Sequence, residues 1–329
     1  MGRDSRPMSS RTVAQVGVVG PVESARKFEA VASGLGIDLI TFRTDGSAGS
    51  EETGERAETL DEFVGRSAAV AVEFGCSYDI FCALMDVADR KLRPNSSTIH
   101  LAHDPLAARY AFHDCGFEVA EFEEVDAGAD GDVQLFGRKH GWPVRLRPSR
   151  WGLERTADSV VRPYSGLDHV WAGNSARRWL LETWIPLAPH VTVVLARRPS
   201  GQQAIHAVTS TLQNELGPRR EVLLAGSIRE RAISTARSIV DGLDATGIVT
   251  VQLVHCPAGR LIVDDLTCGP AACGAVDSLT GNAFIAEHLR AILDMAPALT
   301  ASPSPPSRST ADETPACPPL RSSPSPTRT

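Results

Sequence analysis

Two segments hold the residues that could do phosphate chemistry. The first, "GWPVRLRPSRWGLERTA" (141–157), reads as a strand running into a loop placed to cover a nucleotide phosphate. Arg147 sits near the end of the strand, and Gly152 is the only glycine within the loop. A guanidinium there is a planar, forked cation able to neutralise phosphate charge. A phosphate-covering loop works by bringing backbone N–H groups close, and Trp151, Leu153 and Arg155 obstruct that approach. The second segment joins "IVTVQLVHC" to "RLIVDDL" through Pro257-Ala258-Gly259. Such a hairpin sets Gln252 opposite Asp265, close enough to share a cation. Strand alternation turns Asp264 to the other face, unless the strand ends there. Gln252 is neutral, so the facing pair carries one negative charge, and weak or absent magnesium binding is the expectation.

The elements that must position these residues divide into two classes. "TVAQVGVVG" (12–20), a helical stretch over 21–36 bounded by Pro21 and Gly34/Gly36, and "IDLITFR" form a β-α-β unit. "AAVAVEFG" and "YDIFCALM" extend it as further strands of an open parallel sheet. The first turn lacks the G-x-G-x-x-G pattern, which argues against a dinucleotide there. Farther on, Asp104 caps a helix over 104–116, "VQLFGRKHGWPVRLRP" gives a strand after a loop, and "WLLETWIP" another strand. "HVTVVLARRPSGQQAIHAV" is a hairpin, and apolar residues 232, 233, 236, 239, 240 and 243 mark one face of a helix over 227–247. The fold class is therefore α/β followed by α+β with an antiparallel sheet. From Pro297 the chain carries nine of its 22 prolines and almost no large apolar residue, so 297–329 is expected to be disordered.

Composition narrows the partners. With 42% hydrophobic and 22% charged residues in 329, the chain is of the globular class and long enough for two or three compact units. No apolar run approaches the roughly 20 residues that span a bilayer, and the N-terminus has no apolar signal region. A cytoplasmic protein with no membrane partner is the expectation. A net charge of -7 supplies no basic stripe for a phosphodiester backbone, so no nucleic-acid partner is expected. Seven cysteines without a CxxC pair read as reduced thiols.

In order and in wording, the chain from about Val13 to about Leu293 resembles the ATP-grasp superfamily, and within it the 5-(carboxyamino)imidazole ribonucleotide synthase family of purine biosynthesis. The similarity is carried by "LRPNSSTIHLAHDPLAARYAFHDCGFEVAEF", "LLETWIPLAPHVTVVLARRPSG", "ATGIVTVQLVHCPAGRLIVDDLTCGP" and "EHLRAIL". It implies a flexible N-terminus (1–12), a pre-ATP-grasp α/β domain (13–95) and a two-lobed ATP-grasp domain (96–296) that clasps ATP with magnesium. It implies a C-terminal domain as well, in whose place the proline-rich tail is expected. The implied activity is ATP-dependent carbon–nitrogen ligation, carboxylating aminoimidazole ribonucleotide through carboxyphosphate.

Carried over by position, Arg147 stands where a family lysine contacts ATP phosphates, and Gly152 is what remains of the glycine loop. Glu182, Thr183, Trp184 and Ile185 fall on the hinge that meets adenine, and His190 replaces a glutamate that holds the ribose hydroxyls. Gln252 and Asp265 replace two metal-binding glutamates, Asp264 stands at an asparagine, and Pro105 at an arginine. "TCGPAACGAVD" lacks the family's arginine, histidine and asparagine. The departures fall on charged functional positions while the apolar framework persists. Since phosphoryl transfer depends on positioning and charge neutralisation, a catalytically impaired or repurposed nucleotide- or partner-binding protein is expected, in a homodimer or paired with an active relative. The competing expectation is an active ligase using Arg147, Asp264 and Asp265.

Overall fold

The computed structural model describes residues 15–43, 59–73, 76–149, 158–163, 165–172, 176–185, 188–212, 220–256, 259–270 and 281–298. Gly152, its loop and the tail beyond residue 298 lie outside them.

The N-terminal part is a parallel sheet. β1 (Val16–Gly20), α1 (Val22–Leu35), β2 (Leu39–Arg43), α2 (Leu60–Arg66), β3 (Ala69–Val72), α3 (Tyr78–Ala88) and β4 (Leu92–Arg93) follow in chain order, and the strands lie in the order β2-β1-β3-β4. Local chemistry sets the boundaries. Gly36 ends α1 in the left-handed region at φ 66°, and Thr59 and Glu62 form a reciprocal capping box on α2. "YDIFCALM" is α3 rather than the expected strand. Ser77 caps it by accepting from the Ile80 amide, and buried Phe81, Leu84 and Ala88 recur at helical spacing along one face.

α4 (Ser96–His103) and α5 (Pro105–Asp114) then lead into two antiparallel sheets. Asp104 caps α5 as expected, its Oδ1 accepting from the Leu106 and Ala107 amides at 3.0 and 3.1 Å. The smaller sheet holds β5 (Phe122–Asp126), β6 (Val144–Pro148), β7 (Ser159–Val161) and β8 (Arg178–Thr183) in the order β5-β8-β6-β7. It is covered by α6 (Asp130–His140) and the short α7 (Asp168–Trp171). The residues before β6, expected to include a loop, are thus α6, which buries Val133 and Phe136 on one face. The larger sheet holds β9 (Pro189–Arg197), β10 (Gln203–Leu212), β11 (Arg220–Glu221), β12 (Gly247–His255) and β13 (Leu261–Cys268) in the order β11-β10-β9-β12-β13, with α8 (Gly226–Gly242) against it.

Each sheet has its own apolar core. Val133, Phe136, Val144, Leu146, Trp179 and Leu181 fill the smaller lobe, and Val191, Leu195, Ile239, Val251, Val263 and Leu266 the larger. α9 (Gly281–Ile292) returns to the beginning of the chain: Ile285, Leu289 and Ile292 pack with Val16, Val18 and Phe28, and Phe284 and Ala291 with Val194 and Ile248. Cys76, Cys82, Cys256 and Cys268 are not disulfide-bonded, and burial pushes the Cys76 thiol up to about 12. The half-buried Cys115 at the C-cap of α5 is disulfide-bonded, which corrects the expectation that all cysteines are reduced. Among the described residues no helix is long and apolar enough to cross a membrane.

Candidate functional site

The alternation V-R-L-R in β6 decides where its charges go. Val144 and Leu146 point into the smaller lobe's core, so Arg145 and Arg147 share the opposite face, where both are buried. Glu182 on β8 is in register with Arg145 and is 0% exposed. The face turned toward the larger sheet therefore carries two cations and an anion.

β13 meets this face with two carboxylates. Its register to β12 runs Gln252↔Asp265 and then Leu253↔Val263, leaving Asp264 as the extra residue of a β-bulge. Gln252 does lie opposite Asp265, but the bulge cancels the alternation that was expected to turn Asp264 away. Both aspartates reach the arginines: Arg145 Nη2 bonds Asp264 Oδ1, and Arg147 Nη2 donates to Asp265 Oδ2 at 3.3 Å.

Arg109 of α5 completes the cluster. It is 2% exposed, donates from Nη2 to Glu182 Oε2 at 2.6 Å and to the Asp264 carbonyl at 3.1 Å, and from Nη1 to the Val263 carbonyl. Arg145 Nε donates to Glu182 Oε1 at 2.7 Å, and Arg147 Nε lies 3.3 Å from Asp158 Oδ2. Three guanidiniums thus face Glu182, Asp264, Asp265 and Asp158. Burial pushes the Asp264 carboxyl up, but Arg145, Arg147 and Arg109 together override it and hold it well below the usual carboxylate range. Burial likewise opposes the charge on Arg145 and Arg147, and the neighbouring carboxylates keep both guanidiniums firmly protonated. Burial raises Asp158 above the ordinary aspartate range, against the pull of Arg147 and Arg145.

The residues carried over to the adenine and ribose positions also have protein partners. The Thr183 amide donates to Glu121 O at 3.0 Å and the Trp184 amide to Pro143 O at 3.3 Å. The Trp184 ring lies 4.9 Å from the Arg145 guanidinium carbon and 5.9 Å from the His190 ring, while His190 Nδ1 is 3.9 Å from Asp264 Oδ2. Ile185 packs on Ala120, Ala188, Val254 and Ile262. As arranged, these residues do not fit magnesium: each aspartate is engaged by a guanidinium, Gln252 is neutral, and no three His, Cys, Asp or Glu side chains among the described residues are grouped to hold a metal. A cavity of about 210 Å³ opens elsewhere, beside α9, with Arg198, Gln203, Glu287 and Arg290 in its wall.

Reasoning from the sequence missed Arg109, Arg145 and Asp158. Arg109 was detectable as a lone charge among Leu106, Ala108, Ala111 and Phe112 on the buried face of α5, and Arg145 from its two-residue spacing to Arg147.

The ATP-grasp domain family matches residues 110–280, more than half of the chain. The chain belongs to the ATP-grasp family. It is 26% identical over 210 residues to the N5-carboxyaminoimidazole ribonucleotide synthase of Synechococcus elongatus, covering 62% of this chain and 52% of that protein. It is 27% identical over 214 residues to the Mycobacterium leprae enzyme of the same name, covering 61% and 48%. The match spans about half the length of these curated relatives. Among solved structures, the ADP complex of an N5-carboxyaminoimidazole ribonucleotide synthetase superposes with a TM-score of 0.70 at 19% identity, covering 86% of this chain and 78% of that one. The Aspergillus clavatus synthase in complex with ADP and 5-aminoimidazole ribonucleotide gives 0.69 at 17% identity, covering 86% and 77%. These likenesses establish the ATP-grasp architecture of an N-terminal parallel sheet followed by two antiparallel sheets.

Proposed function

We propose that this chain is a catalytically silent ATP-grasp protein, related to the N5-carboxyaminoimidazole ribonucleotide synthases of purine biosynthesis and kept as a nucleotide- or partner-binding body. The observation that carries the reading is the pairing of Asp264 with Arg145 and of Asp265 with Arg147. A magnesium-bound triphosphate needs carboxylates free to share with the metal and cations free to face phosphate oxygens. Here each set neutralises the other, and the Trp184 indole is bracketed by Arg145 and His190 where the resemblance would place nucleotide. Drift that preserves the core and redirects the charges is consistent with selection for the folded body rather than for ligation.

One observation favours the competing reading of an active ligase. The bulge at Asp264 brings two carboxylates to the cleft where alternation would supply one. Incubation with ATP, magnesium, bicarbonate and aminoimidazole ribonucleotide separates the two readings. No steady release of ADP, and no rescue of a purine-requiring strain lacking its own synthase, is the expected outcome. Sustained ADP release that disappears in Asp265→Ala overturns the silent reading and establishes the ligase.

A further inference from the structure

We propose that the Arg109–Arg145–Arg147 cluster with Glu182, Asp264 and Asp265 is a built-in latch that holds the two lobes of the clasp together without a nucleotide. The smaller lobe's core is drawn from residues 125–181 and the larger lobe's from separate elements, so each is complete on its own side. Apolar packing that reaches across is found at the connecting segments, where Ala120, Ile185 and Ala188 rest on Val254 and Ile262. That is a hinge. Away from it, the facing surfaces of β6/β8 and β13 carry charges around one buried leucine, Leu180 of β8, which is opposite Arg147.

Those charges are matched across the gap. Arg145 and Arg147 belong to the smaller sheet, and Asp264 and Asp265 to the larger. Arg109 spans both, binding Glu182 of β8 while donating to the Val263 and Asp264 carbonyls of β13. The bulge in β13 is what lets two consecutive residues bond two arginines spaced two apart on β6. Separating the sheets would break both cross-sheet ion pairs together, and each buried acid is held by hydrogen bonds whose partners are fixed on a strand or helix. Asp264 is held ionised despite its burial, so the pairing outweighs the lost hydration while the lobes are closed. A clasp built to admit a ligand has to open, whereas this one carries its own cross-links.

The latch rests on the sheet-to-sheet bonds and stands whether or not the protein proves catalytically silent. Small-angle X-ray scattering of the full chain tests it. The wild-type radius of gyration is expected to be the same with and without ATP and magnesium, and the same in 1 M salt, since ion pairs shielded from solvent are screened much less than exposed ones. Asp264→Asn, which removes the charge that Arg145 grips, is expected to raise the radius by about 1 Å as the smaller lobe swings on its hinge, with the far-ultraviolet circular dichroism unchanged. If that variant loses its dichroism, the wild-type series decides alone. A nucleotide-free wild type that contracts on adding ATP was open beforehand and overturns the latch. So does a folded Asp264→Asn that keeps the wild-type radius. ADP release from wild type with an unchanged radius sinks the silent reading and leaves the latch standing.

Discussion

Arg145→Met measures what the buried ion cluster contributes. In the wild type this guanidinium donates to Glu182 at 2.7 Å, bonds Asp264, and lies 4.9 Å from the Trp184 ring centre. Methionine fills much of the same volume with no charge. Glu182, 0% exposed, keeps Arg109 at 2.6 Å, but Asp264 is left with the charge of Arg147 beside it and with Arg109 and His190, each at 3.9 Å. Removing one partner of a buried pair costs about 3 to 5 kcal/mol, because the remaining charge stays in a dry site. With Glu182 still partnered, the lower end applies, about 3 kcal/mol. At roughly 2 to 4 °C per kcal/mol for a chain of this size, the melting temperature falls by about 6 °C or more. Urea unfolding of wild type, Arg145→Met, Asp264→Leu and the double variant closes a thermodynamic cycle. The double variant is expected to lose about 1 to 3 kcal/mol less than the sum of the singles. A cost for Arg145→Met under about 1 kcal/mol, with additive singles, is the behaviour of a solvated pair. That result would falsify the description of the cluster as buried and coupled.

Three further outcomes are expected. The His288 imidazole is pushed down to about 4 by burial while its Nδ1 accepts from the Ile248 amide at 3.1 Å. Unfolding lets it take up a proton more readily, so its contribution is complete above about pH 6.5 and is lost as pH falls toward 4, an effect on the order of 3 kcal/mol. Urea midpoints from pH 7 to 4 should show this slope in wild type and a shallower one in His288→Gln. Gly137→Ala gains up to about 1 kcal/mol of helix propensity in α6. Its new Cβ would nevertheless lie 2.2 Å from the Trp142 ring, and thermal melts are expected to show a net loss of about 1 to 3 kcal/mol. Gly247→Ala, at φ 101° and with a Cβ 2.7 Å from His288 Cε1, is expected to lower stability by about 2 kcal/mol or more, seen as a reduced urea midpoint with unchanged slope.

Much of the architecture was readable because it is written in periodicity. The alternation in "IVTVQLVHC" and "RLIVDDL" gave both strands and the facing of Gln252 and Asp265, and the spacing of 232, 236, 239 and 240 gave α8. "YDIFCALM" misled because a short apolar run suits either a buried strand or a helix, and only the cap at Ser77 separates them. The site was readable by residue type and not by partner. Arg147, Asp264 and Asp265 were identified, yet their pairing depends on a bulge with no marker of its own, since no glycine or proline stands at Asp264. Arg109 is 155 residues away from Asp264 in sequence, a separation at which local patterns carry no information. The glycine loop around Gly152 lies outside the described residues.

The position of α9 bears on how the protein is made. Val16, Val18 and Phe28 near the start of the chain are buried against Ile285, Leu289 and Ile292 near its end. On a ribosome, the first strand emerges long before the helix that covers it exists. Until α9 has been synthesised, that surface has to be shielded by other means, so this β-α-β unit is a place where nascent chains would meet a chaperone or one another.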